Sequence, residues 1–104
     1  MIRKATKMKI YQHCYAEYKL RHDKLWPEMA AMLKGHGAKN YSIFLDEETG
    51  FLFAYVEIES EQLWAKVAQT DICQKWWAYM ADIMETNDDH SPKSWPLTDV
   101  FYLA

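Results

Sequence analysis

The 104-residue chain is long enough for one domain and too short for two. Half of it is hydrophobic and 26% is charged, its mean hydropathy is negative, and no apolar run approaches a membrane span of roughly 20 residues, which excludes intrinsic disorder and a membrane-spanning helix. Lys and Arg number 12 against 15 Asp and Glu, a net charge of -3 without a basic cluster, which argues against nucleic-acid binding.

Residues 2–10 alternate loosely and predict a first strand with lysines on one side. The period then changes to 3.6: Tyr11, Tyr15, Tyr18, His22, Leu25 or Trp26, Met29, Met32 or Leu33, and His36 follow one helical stripe. Pro27 interrupts it. Proline suits a first helical turn and disfavours helix at the residue before it, so one helix is expected to end near Arg21 and a second to begin near Pro27, with 22–26 as the joint. Gly35 and Gly37 supply the stop of the second helix.

Strands are expected at 39–46 and 51–59, paired antiparallel through a turn at 47–50 that ends in Gly50. In the second strand Leu52, Ala54, Val56 and Ile58 face one way, and Phe51, Phe53, Tyr55, Glu57 and Glu59 the other, so both faces want cover. Ser60 is suited to cap a helix through Gln69, and Asp71 with Gln74 resembles a capping box for a helix to about Met84. Residues 85–96, acidic and carrying Pro92 and Pro96, read as a loop, and 97–103 as a final strand. The resulting β-α-β-β-α-β order predicts an α+β, ferredoxin-like four-stranded antiparallel sheet with helices on one face. Its open face, with Phe51, Phe53 and Tyr55, calls for a sheet-to-sheet homodimer.

Cys14 and Cys73 lie too far apart for a short metal-ligand spacing and read as two reduced thiols. The basic first residues are not followed by an apolar stretch of signal-peptide length, so a cytoplasmic location is expected. Five Trp, seven Tyr and four Phe are more rings than one small core hides, which places some of them in a pocket or an interface.

His22 is the side chain most suited to proton transfer near neutral pH, although a hydrogen-bonded core histidine occupies such a position equally well. Adjacent helical residues point about 100° apart, so Trp76 and Trp77 cannot both enter one core stripe; one wall of a sugar pocket or a dimer contact would use the second. Tyr41 alone reads as an ordinary sheet tyrosine. Met29, Met32, Met80 and Met84 fall at helical spacings expected of core residues. Glu57 and Glu59 share a strand face and read as solvated rather than as paired acids. No phosphate loop, His-Glu-x-x-His pattern or serine elbow is present. Three readings stay open on these residues: proton transfer on a polyhydroxylated ligand, a small dimeric monooxygenase with His22 as axial haem ligand, and a non-catalytic sugar-binding module.

Four segments resemble the L-rhamnose mutarotase family: Tyr18-Lys19-Leu20-Arg21-His22-Asp23-Lys24-Leu25-Trp26-Pro27-Glu28, Gly37-Ala38-Lys39-Asn40-Tyr41-Ser42-Ile43-Phe44-Leu45, Trp76-Trp77-Ala78-Tyr79-Met80, and Val100-Phe101-Tyr102-Leu103. The resemblance spans nearly the whole chain as a single domain, residues 1–104. It implies a homodimer of the dimeric α+β barrel type that exchanges the α and β anomers of L-rhamnose, with no metal or cofactor, no nucleic acid and no membrane as partner. It further implies His22 as catalytic acid, with Tyr18, Tyr41, Trp76 and Trp77 as sugar-binding residues. Asp99 stands where the family pattern has Glu.

Overall fold

Four strands, β1 (Ile2–Lys9), β2 (Lys39–Asp46), β3 (Phe51–Ile58) and β4 (Ser94–Pro96), form one antiparallel sheet in the order β2-β3-β1-β4 in the computed structural model, which describes residues 1–104. Helices α1 (Tyr15–Asp23), α2 (Pro27–Gly35), the short α3 (Glu61–Ala65) and α4 (Asp71–Met80) complete the ferredoxin-like plan. The alternation of β3 sets the layers. Leu52 and Ala54 join Met8 of β1 and Tyr18, Met29, Trp76 and Met80 of the helices in one buried cluster, while Val56 and Ile58 pack with Ala38. Leu52 and Ile58 are almost wholly buried, each contributing about 1.5–3 kcal/mol relative to exposure.

The joint behaves largely as Pro27 dictates. Trp26 is extended at ψ 131°, Pro27 takes the first turn of α2, and Gly37 leaves the helix at φ 85°. Helix α1, however, runs on to Asp23, supported by i,i+4 pairs of Arg21 with Glu17 and Lys19 with Asp23. His22 therefore sits in its last turn rather than in the joint. The β2–β3 turn closes on Gly50, whose N–H donates to Asp46 O at 2.8 Å and whose φ of 82° puts any Cβ 2.9 Å from Ile10 O.

Further boundaries differ from expectation. The segment capped by Ser60 breaks at Lys66 into α3 and a 3-10 turn, Val67–Gln69. Thr70, not Asp71, caps α4: its hydroxyl accepts from Cys73 N at 3.3 Å, and the helix stops at Met80, leaving Met84 to bridge Ile10. The last strand is Ser94–Pro96 rather than 97–103. Pro96 lies at the sheet edge opposite Thr6, where it need not donate to a further strand. Leu97 N still donates to Ala5 O at 2.9 Å, but the backbone ladder ends there although β1 continues to Ile2, and Val100 is 93% exposed. Arg3 holds the segment through Asp99 and lies over the Tyr102 ring. No helix is long and apolar enough to cross a membrane.

Candidate active site

A spacing of four residues puts Tyr18 and His22 on one face of α1. Their rings stack with centroids 4.3 Å apart, and Trp76 of α4 meets His22 edge-on at 5.3 Å. His22 Nδ1 lies 3.1 Å from Tyr18 O. A carbonyl only accepts, so Nδ1 carries the hydrogen and donates it; in the neutral ring Nε2 is then the free lone pair. Burial lowers the His22 pKa from its ordinary 6.5, against the opposing pulls of that backbone bond and of Asp23. The imidazole is neutral at pH 7.

A cavity of about 1610 Å³ between the helices and the sheet is lined by Tyr18, His22, Tyr41, Trp64, Trp76 and Trp77, among others. Tyr18 is only 8% exposed, yet its hydroxyl bonds to no protein group; since the chain has no sealed, unpaired polar atom, that hydroxyl opens onto the cavity. Burial, with Tyr41 nearby, holds the Tyr18 phenol well above its ordinary pKa, so it keeps its proton. Tyr41 is 43% exposed, with its ring 6.3 Å from that of Trp64. That exposure belongs to the residue as a whole; at the phenol end, burial first and then Cys73 raise the pKa as well. The cavity thus offers one basic nitrogen, two protonated phenols and aromatic walls, the constituents of a site for a neutral polyhydroxylated ligand.

The model of the family described as L-rhamnose mutarotase matches residues 3–103. The chain belongs to the L-rhamnose mutarotase family. It is 67% identical to an L-rhamnose mutarotase of Shouchella clausii over the full length of both chains. The crystal structure of L-rhamnose mutarotase FA22100 from Formosa agariphila superposes with a TM-score of 0.92 at 46% identity, covering 100% of each chain. A dimeric ferredoxin-like protein from an uncultured marine organism shares the fold alone, at 12% identity, a TM-score of 0.61 and 97% coverage of each chain. Family membership sets aside the monooxygenase reading of His22.

In this mutarotase-family chain the five residues singled out from sequence, Tyr18, His22, Tyr41, Trp76 and Trp77, all line the one cavity. The two indoles divide as their 100° separation requires: Trp76 belongs to the buried cluster, where it also touches His22, while Trp77 is only partly buried against that cluster and lines the cavity. Sequence reasoning missed the supports behind them. Trp26 meets Trp76 edge-on at 5.0 Å, and Tyr79 lies 5.6 Å from Trp76. Arg21 covers the Tyr79 ring at 4.3 Å and donates to Tyr79 O at 2.7 Å, to Asp82 Oδ1 at 2.8 Å and to Glu17 Oε2 at 2.7 Å. This clamp ties α1 to the end of α4. Its only sequence signal is the i,i+4 pair, since Asp82 is 61 residues away.

Proposed function

We propose that the chain interconverts the α and β anomers of L-rhamnose by opening and reclosing the pyranose ring, with His22 carrying the proton. The observation that supports this most is the imidazole held between Tyr18 and Trp76, its Nδ1–H committed to Tyr18 O and its Nε2 left without a protein partner. In ring opening O1 loses a proton, C1=O1 forms, the C1–O5 bond breaks, and O5 gains a proton. Both oxygens sit on C1, so a single nitrogen serves them in turn. Because burial keeps His22 neutral, Nε2 first takes the O1 proton as base and then returns it to O5 as acid. Rotation about C1–C2 turns the other carbonyl face to O5, and the same transfers in reverse close the ring. Positioned acid-base catalysis of this kind contributes about 10²- to 10⁴-fold, and the transfers balance without a cofactor.

In this reading the unpartnered hydroxyls of Tyr18 and Tyr41 hydrogen-bond sugar hydroxyls, while Trp76 and Trp77 pack against the C–H face and the 6-deoxy methyl. The molecule acts as a homodimer, the second copy covering Phe44, Phe53 and Tyr55 on the open sheet face; Phe44 is 69% exposed in the single chain. The single domain works in the cytoplasm, where free rhamnose enters catabolism. Saturation transfer between the two anomeric proton signals of L-rhamnose tests the activity: enzyme-dependent exchange is expected, and exchange no faster than in buffer would refute it.

A further inference from the structure

Tyr41 reaches the cavity through an irregularity in β2. Lys39 pairs with Glu57 and Ser42 with Tyr55, so three steps along β2 match two along β3, and Asn40 and Tyr41 both stand opposite Val56. Val56 faces the helices and is buried, and both extra-residue partners line the cavity on that side. Asn40 adopts φ 51°, the left-handed conformation that glycine takes at the first position of one common bulge type. Asparagine is among the few other residues that enter this region readily. The Asn40 side chain is exposed and makes no hydrogen bond within the chain. Its backbone, rather than its amide, is what the fold uses.

We propose that Asn40 is a positioning residue: its left-handed backbone forms the bulge that aims the Tyr41 phenol at the cavity, and residue 40 tunes sugar binding through Tyr41 alone. The inference rests on the proposed mutarotase reading for its kinetic arm and on the bulge for its structural arm. Without the extra residue β2 would run in unbroken register into Lys39, and its twist past Trp64 would change. A β-branched residue at φ 51° is a steric outlier, whereas glycine is at ease there.

The experiment compares Asn40→Gly, Asn40→Val, Tyr41→Phe and the Asn40→Val/Tyr41→Phe double variant. Anomer exchange is measured against L-rhamnose concentration, and the ring-proton contact between Tyr41 and Trp64 is followed by nuclear Overhauser effect. Asn40→Val is expected to raise KM about 2- to 12-fold, the loss of one hydrogen bond, with a smaller change in kcat. Asn40→Gly is expected to restore the parental KM, and Asn40→Val to add nothing in the Tyr41→Phe background. The Tyr41–Trp64 contact should persist in Asn40→Gly and be lost in Asn40→Val. A KM in Asn40→Gly as high as in Asn40→Val would overturn the proposal in favour of an amide contact, as would full additivity in the double variant. If Asn40→Val does not fold, Asn40→Ala takes its place with the same expectations. A parent without exchange activity refutes the mutarotase reading, and the ring contact still decides the role of Asn40.

Discussion

Tyr18→Phe separates binding from stability in one substitution. The Tyr18 ring is buried against His22, and its hydroxyl faces the cavity with no protein partner. Phenylalanine keeps the stacked ring and the volume and removes only the oxygen. Within the protein no hydrogen bond is lost, so the unfolding free energy should stay level or rise, since a hydroxyl set in a mostly apolar wall is costly to desolvate. Toward the sugar, one neutral hydrogen bond worth about 0.5–1.5 kcal/mol disappears, which corresponds to a roughly 2- to 12-fold weaker affinity. Titration of L-rhamnose by tryptophan fluorescence reports the affinity, because Trp76 lies in the same cluster, and urea denaturation reports the stability. Unchanged affinity would remove Tyr18 from the binding set. A loss of more than about 1 kcal/mol in stability would show that the hydroxyl has a protein partner after all.

Three further outcomes follow from the same geometry. Enzyme-dependent exchange, corrected for the buffer, should be flat above the ordinary histidine pKa of 6.5 and fall as pH drops through the lower value that burial sets for His22; a fall beginning above 6.5 would contradict the buried, neutral imidazole. The linkage has the same sign, because the unfolded chain binds the His22 proton more readily, so this group makes stability rise with pH across that window. Gly50→Ala forces φ 82° on a side chain whose Cβ would lie 2.9 Å from Ile10 O, and should cost about 1–3 kcal/mol in urea denaturation, whereas parental stability would show that the turn relaxes freely. Phe53→Asp, on the open face of β3 where Phe53 is 38% exposed, should shift the sedimentation coefficient from dimer to monomer; an unchanged dimer would place the interface elsewhere.

Much of the fold is legible because its signals are local. Pro27, Gly37 and Gly50 each dictate a backbone conformation, and the alternation of β3 separates Leu52, Ala54, Val56 and Ile58 from Phe51, Phe53 and Tyr55 as the sheet requires. The cap of α4 lies one residue before the position the sequence suggests because Thr70 and Asp71 are both good caps, and only the β-region conformation of Thr70 decides between them. The last strand departs from expectation for a different reason. Apolar alternation in 97–103 looks like a strand, but the backbone leaves the free edge of β1 after Leu97, and beyond it the contacts of Arg3 are made by side chains, to Asp99 and the Tyr102 ring. At the site, the stripe through Tyr18 and His22 pointed to one face of α1. The long-range supports, Arg21 with Asp82 and Trp26 against Trp76, leave no periodic trace, since their partners come from distant segments.

In the proposed reaction one neutral imidazole, His22, moves the proton in both directions. Saturation-transfer exchange of L-rhamnose anomers by the His22→Asn variant tests it most directly, at sugar concentrations that saturate the parent and with folding checked by circular dichroism. Asparagine keeps a polar side chain of similar size and cannot titrate. The variant is expected to fold and its saturated exchange rate to fall about 10²- to 10⁴-fold. A folded His22→Asn variant that equilibrates the anomers as fast as the parent would contradict it.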